Sequence, residues 1–275
     1  KHGEGKKWYL QAKNYSEDLL NDARRRSLII AFLSDPNRLR EAVAHLDLLE
    51  RLPRFIKGPI GRLVTKKMKR SHFGQVVPIE DVEAIFGIVN SVTRLSCICR
   101  AIGSGRERRC CYAVSLGPNG GRLEELFSGL AGSFLSGPET AGLERLAGEE
   151  ALAAMKDLER EGLCHTVWTF ETPFVAAICN CDRRDCLGLR STLTHGVRVL
   201  FRSEYVASVD PDLCTGCREC VRLCQFGALR FSAAPKRVVI DEKLCYGCGV
   251  CRSACEHHAL SLRDRASVPS VADLW

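Results

Sequence analysis

The chain has 275 residues, 45% of them hydrophobic and 27% charged, with a net charge of +7 and 16 cysteines. Those fractions are ordinary for folded domains and exclude wholesale disorder, and the length predicts two or three domains. Cysteines in C-x-x-C and C-x-C groups along so long a chain exclude the disulfide framework of a small secreted domain, and point to thiolates binding metal in a reducing, cytoplasmic setting.

Residues 1–78 read as a basic helical region, with 17 Lys/Arg against 8 Asp/Glu up to residue 74. The apolar run Ser27 to Leu33 follows Arg24-Arg25-Arg26 but stops at Asp35-Pro36 without a small-residue cleavage site, so it fails as an export signal. No run approaches the roughly 18 apolar residues of a membrane span, so no transmembrane segment is expected. Leu39, Val43, Leu46, Leu49 and Leu52 recur at helical steps on one face, and Pro53 and then Gly58-Pro59 are expected to break that helix. Trp8, Tyr9 and Tyr15 are candidate anchors for an acidic partner subunit, an anionic membrane surface or nucleic acid, and the alternative is a solvated helical cap. Without a recognition motif, no nucleic acid is expected.

Residues 79–204 form a cysteine-rich α/β middle domain. A helix is expected from Glu80 to Val89, with glycine-rich loops at Gly117–Gly121 and Gly129–Gly142. A second helix, Glu149 to Glu161, carries Leu152, Met155 and Leu158 on one face and stops at Gly162. Strands are expected at His165–Phe170, turned at Thr172-Pro173, and at Val197–Phe201. Residues 205–263 form a two-cluster domain, and 264–275 a C-terminal tail. The fold class is therefore α+β.

The two-cluster domain contains a repeat offset by 31 residues, in which Val209 to Cys224 aligns with Ile240 to Cys255. Each copy carries C-x₂-C-x₂-C-x₃-C, at Cys214, Cys217, Cys220, Cys224 and at Cys245, Cys248, Cys251, Cys255. A [4Fe–4S] cube takes four thiolates; three at this spacing wrap one cube and the fourth reaches the other. Gly216 and Gly247 let each loop turn sharply. Zinc would favour paired C-x-x-C knuckles instead. Over about 55 residues this segment resembles bacterial two-cluster ferredoxins. The resemblance implies two [4Fe–4S] clusters related by a pseudo-two-fold, one on Cys214, Cys217, Cys220 and Cys255, the other on Cys245, Cys248, Cys251 and Cys224. Such ferredoxins usually have proline after each fourth cysteine, where this chain has Gln225 and Glu256.

The remaining cysteines form two groups, Cys97, Cys99, Cys110, Cys111 and Cys179, Cys181, Cys186, with Cys164 set apart as a structural thiol. Neither group contains C-x-x-C. In an extended C-x-C both side chains point the same way, so the groups are expected to meet and share one further iron–sulfur cluster, with zinc as the alternative. Arg100 would offset thiolate charge there. Cys97-Ile98-Cys99-Arg100, Gly162-Leu163-Cys164-His165 and Ile178-Cys179-Asn180-Cys181 ahead of two ferredoxin motifs resemble an uncharacterised set of anaerobe ferredoxin-type proteins, which implies a redox role without a substrate. His72, His165 and His195 are weaker candidate ligands, and His257-His258 follows the last ferredoxin cysteine. Gly117 to Gly121 lacks the dinucleotide-binding spacing.

The function expected is electron transfer to a redox partner or within a larger oxidoreductase complex of anaerobic metabolism. The alternative is an oxidoreductase whose middle-domain cluster reduces a thiol, disulfide or small substrate, an idea kept open by adjacent Cys110-Cys111. A sensor is a third class, because the helix–Gly162–strand unit resembles part of a winged helix.

Overall fold

The computed structural model describes residues 7–128, 142–234 and 236–274. The expected loop at Gly129–Gly142 lies outside these but for its last residue, as does the side chain of Val43.

After three short 3-10 helices between Trp8 and Asn21 come α1 (Ala23–Ser34), α2 (Pro36–Glu50) and α3 (Arg54–Ser71). The Asp22 carboxylate caps α1 by accepting from the N–H groups of Arg24 and Arg25, which satisfies donors that have no intrahelical partner. Pro53 separates α2 from α3 as expected. Gly58-Pro59 does not break anything, because Pro59 lies inside α3. Its missing N–H removes a single bond near the first turns of an 18-residue helix, a loss the remaining turns tolerate.

The expectation that Trp8, Tyr9 and Tyr15 anchor an external partner is corrected. All three lie in the core. The Trp8 indole donates to Gln75 Oε1 at 2.5 Å, the Tyr9 hydroxyl to Asp81 Oδ2 at 2.6 Å, and the Tyr15 hydroxyl to the Tyr9 carbonyl at 2.5 Å. Large amphipathic rings bury well when the polar tip finds a partner.

The centre is a seven-stranded sheet of β1 (Gly74–Val77), β2 (Ser91–Ser96), β3 (Arg109–Ser115), β4 (Glu144–Leu146), β5 (Cys164–Thr169), β6 (Val175–Cys181) and β7 (Leu200–Phe201). Its order is β4-β2-β3-β6-β5-β1-β7. Every pairing is antiparallel except β1 with β7. The strand expected from Val197 pairs only at Leu200–Phe201. Around the sheet stand α4 (Ile79–Phe86), α5 (Ile98–Gly103), α6 (Gly121–Ser128), α7 (Gly148–Arg160) and α8 (Leu187–Leu193). Helix α7 buries Ala151, Met155 and Leu158. It ends with Gly162 at φ +98°, where the Leu163 N–H reaches the Leu158 carbonyl; only a left-handed residue closes a helix end in this way. The strand that follows, β5, lies inside the sheet between β6 and β1, so the helix–strand unit is not a wing.

The C-terminal part holds β8 (Tyr205–Val209), α9 (Glu219–Leu223), β9 (Leu229–Ser232), β10 (Arg237–Ile240), α10 (Val250–Ser253) and β11 (Leu260–Asp264). Strand β8 pairs with β11 and β9 with β10, which is the two-fold the repeat implies. This part is fastened to the sheet. Glu204 accepts from Gln75 at 3.0 Å and pairs with Arg265 at 2.9 Å, and Arg252 pairs with Glu80 at 2.7 Å. The Tyr205 hydroxyl donates to Asp81 at 3.2 Å.

Candidate metal centre

The middle-domain cysteines arrive from four places. Cys97 ends β2 and caps α5, Cys99 sits in the first turn of α5, Cys110 and Cys111 open β3, and Cys179 and Cys181 end β6. Cys186 caps α8. The structure brings all seven sulfurs into one group. Cys97, Cys110 and Cys111 lie within 4.8 Å of one another. Cys97 also touches Cys99, Cys99 touches Cys186, Cys186 touches Cys181, and Cys111 touches Cys179, its register partner across β3 and β6.

Two local devices make this possible. Adjacent residues of a regular strand point to opposite faces, yet Cys110 and Cys111 both reach Cys97. A register shift opposite Leu95 and Ser96 leaves Cys110 as an extra residue in β3, and such a bulge re-aims a side chain. The second device corrects an expectation: Cys97 and Cys99 are not in an extended strand but bracket the start of α5. Cys179 and Cys181 are extended, on one face, as the C-x-C pattern implied.

Electrostatics follow from burial. Arg100 is only 4% exposed. Its guanidinium donates to Cys110 Sγ at 2.6 Å and to the Asn180 carbonyl at 3.3 Å, pairs with Asp182, and approaches Asp185 at 3.4 Å. Burial disfavours its charge, but the sulfurs of Cys110 and Cys97 and the Asp182 carboxylate outweigh that and hold its pKa above the usual range. Contacts with Cys110, Cys111 and Cys99 pull the Cys97 thiol well down. Contact with Cys111 pulls Cys179 down, but burial and the neighbouring Cys181, Cys97 and Cys99 sulfurs together outweigh it and lift it to about 12. Thus one thiol of the group gives up its proton readily and its neighbours hold theirs. Metal binding would release those protons.

The eight ferredoxin-type cysteines fall into two sets. One small cavity is lined by Cys214, Cys217, Cys220 and Cys255, a second by Cys224, Cys245, Cys248 and Cys251. The fourth cysteine of each repeat thus sits with the first three of the other. Backbone N–H groups point at sulfur: Val238 at Cys214 (3.5 Å), Ala228 at Cys224 (3.3 Å), Ala207 and Gly247 at Cys245 (both 3.4 Å) and Ala259 at Cys255 (3.3 Å). Gly247 has φ +67°, and a Cβ there would lie 2.0 Å from the Tyr205 carbonyl oxygen, so only glycine fits. Burial pushes Cys220 up to about 11 and raises Cys248 and Cys251 further. Fourfold soft donors and N–H···S bonds together fit a [4Fe–4S] cube at each set.

Residues 213–259 match the 4Fe-4S dicluster domain family. No curated protein matches the chain. The match and the cysteine-rich interior support an iron–sulfur electron-transfer role. Among the described residues, no helix is long and apolar enough to cross a membrane.

The residue standing where a proline was expected has a structural use in the dicluster domain. Gln225 donates to the Gly162 carbonyl at 2.7 Å and accepts from the Arg183 N–H at 2.8 Å, which docks the domain on the end of α7. Behind it, Phe226 stacks on Tyr246 with centroids 4.2 Å apart. Those rings share a core with Cys164, Cys181, Cys186 and Val250. Cys164 is buried, pairs in register with Cys181, and feels the charges of Asp182 and Cys224. Burial lifts its thiol to about 12. It lies between the seven-thiol group and the second dicluster set.

Of the histidines, His165 is buried between Asn180 (2.7 Å) and Glu159 (3.4 Å), and His195 meets Asp47 at 3.4 Å. His257 lines the first dicluster cavity. His72 donates from Nδ1 to the Thr169 carbonyl at 2.6 Å and stacks on Trp168 at 5.0 Å. With Trp168 it lines a cavity of about 670 Å³ whose floor includes Cys97, Cys99, Cys111, Cys179, Cys181 and Cys186.

Sequence reading named Asn180 only as part of the Cys-Asn-Cys element, without a role, and missed Asp182 and Asp185. Asn180 Nδ2 holds the Cys110 carbonyl at 2.9 Å, and the two acids hold Arg100. Their signal was the interleaving of polar residues with cysteine from 179 to 186.

Proposed function

We propose that the chain is an electron-transfer protein or subunit holding two [4Fe–4S] clusters in its dicluster domain and one further iron–sulfur cluster on the seven-thiol group. Cys214, Cys217, Cys220 and Cys255 would hold the first, and Cys245, Cys248, Cys251 and Cys224 the second. The chemistry such clusters supply is one-electron uptake and release. The chain's own residues position and shield them: Gly216 and Gly247 turn the loops, backbone N–H groups donate to sulfur, and Phe226, Tyr246 and Val250 exclude water between the two regions. Domain bounds at 79, 205 and 264, a redox partner or larger oxidoreductase complex of anaerobic metabolism, a cytoplasmic setting and kinship with the anaerobe ferredoxin-type proteins belong to the same proposal.

The observation that carries it is the convergence of seven thiols, five of them buried, beside Arg100. A single tetrahedral zinc takes four ligands; seven contiguous sulfurs with one cation among them suit a larger soft cluster better. Anaerobic purification followed by iron, sulfide and zinc analysis tests it. About 12 iron atoms per chain are expected for three cubes. Eight iron atoms with or without zinc would refute the third cluster and leave the dicluster assignment standing.

A second reading, in which the middle centre is catalytic, is favoured by one observation. The cavity of about 670 Å³ opens directly on the thiols, which a pure relay does not require.

A further inference from the structure

We propose that this cavity is a binding site for a small aromatic acid, a molecule with a planar apolar body and one anionic head group, held against the middle-domain centre. The inference deepens the second reading above and rests on it only in taking the cavity floor to be a metal centre.

Size is the first argument. About 670 Å³ is within the range of pockets that enclose a whole drug-sized ligand. A cube of four irons and four sulfides on the floor would leave most of that space open. The walls are the second. Phe32, His72, Trp168 and Phe170 form a continuous aromatic face, with ring centroids 4.6–5.4 Å apart. Opposite it, α2 and α3 contribute Leu46, Leu49 and Val64. Apolar area of this kind favours a ring system that can stack. The glycine at 188 belongs to the same design: a Cβ there would lie 2.5 Å from the Trp168 ring, so glycine keeps the indole in its place on the wall.

Charge is the third argument. Among the described residues lining the cavity there is no carboxylate, and the two cations are Arg100 and Lys67. Arg100 is engaged by Cys110, Asp182 and Asp185. Lys67 is exposed on α3 and lines the cavity. An anionic head at Lys67 would leave the ring system to the apolar and aromatic walls of the same cavity. The exposed ammonium accounts for a modest preference between acid and neutral analogue, and the apolar walls for affinity.

The test uses the full chain with its metals, purified anaerobically, and 2-naphthoate as the probe in isothermal titration calorimetry. One molecule is expected per chain, with the neutral 2-naphthalenemethanol binding about twofold to fivefold more weakly and Lys67→Ala erasing that difference. Val64→Trp and Leu46→Trp, each filling the cavity, are expected to abolish binding while leaving circular dichroism and iron content unchanged. The electron paramagnetic resonance signal of the reduced middle centre is expected to change on adding 2-naphthoate, and the dicluster signals are not. Absence of binding at millimolar probe in a sample with full iron content would overturn the proposal, as would binding unaffected by both tryptophan variants. Iron analysis of the same sample keeps the two ideas apart. Binding in a chain that carries only eight irons, with zinc on the seven thiols, would uphold the site and refute the third cluster, whereas binding with no metal on those thiols would overturn its placement against a metal centre.

Discussion

Arg100 offers the sharpest perturbation of the middle centre. Its guanidinium is buried, 2.6 Å from Cys110 Sγ, and opposed by Asp182 and Asp185. A positive charge beside a cluster stabilises the reduced form, which carries one more negative charge, so Arg100→Gln should lower the midpoint potential. Two unit charges at ~4 Å and an effective dielectric of about 20 interact by about 4 kcal/mol. The two carboxylates cancel part of this, and roughly half, about 2 kcal/mol, is a working value. At about 2.3 kcal/mol per 100 mV, the expected fall is close to ~90 mV. Arg100→Lys keeps the charge without the fork of donors, and should recover most of the potential but not all of the stability. A spectroelectrochemical titration of the full chain, following the middle-centre signal apart from the dicluster signals, measures both. An intact cluster whose potential moves by less than about 20 mV, or moves upward, would refute the claim that this cation faces a charged metal centre.

Other outcomes are expected from the same structure. Cys164→Val should leave iron content unchanged, measured by colorimetric iron assay, because Cys164 is a neutral buried thiol set between the two regions; loss of about four irons would make it a ligand instead. Gly247→Ala should destabilise the dicluster domain by about 1–3 kcal/mol, seen as faster loss of visible absorbance on chelator challenge, since a Cβ there meets a carbonyl oxygen at 2.0 Å. Arg265→Ala leaves Glu204 buried without its 2.9 Å partner, at a cost of about 3–5 kcal/mol in thermal or denaturant unfolding. Burial pushes the His72 imidazole down to about 4, below its ordinary 6.5. The neutral ring is therefore favoured on folding: its contribution is complete above about pH 6.5 and is lost as pH falls toward 4. Half-burial of the ring limits this to about 2 kcal/mol. His72→Phe should flatten that limb of the stability–pH curve between pH 6.5 and 4.

The repeat at 209–224 and 240–255 was readable because its information is local. Spacings of two, two and three residues set both the loop and the sulfur directions, and the structure sorts those eight thiols into two cavities. The middle centre depends instead on pairings that no local pattern announces. Cys97 meets Cys110 only through the β2–β3 register, and Cys110 faces the same way as Cys111 only because of a bulge. That the groups would meet was a matter of counting leftover thiols; the strands that bring them together were not visible, since β2, β3 and β6 mix charged, small and cysteine residues. The N-terminal aromatics show the same limit. Trp8 and Tyr9 look like surface anchors in a basic segment until Gln75 and Asp81, some seventy residues on, supply their hydrogen bonds. Gly58-Pro59 misled for a different reason, because one missing N–H is a small fraction of an 18-residue helix.

The seam at residues 203–205 has a consequence for how electrons would move. A boundary drawn there runs through Ser203, which donates to the Gly247 carbonyl, and Glu204, which Gln75 and Arg265 hold from opposite sides. With Gln225 on Gly162 and Arg252 on Glu80, the dicluster domain is pinned at several separated points rather than hung on a tether. Intramolecular transfer toward the middle domain would then need no swinging arm. Its rate should be indifferent to solvent viscosity, and whatever gates turnover must act at an outer face, where the chain meets its donor or acceptor.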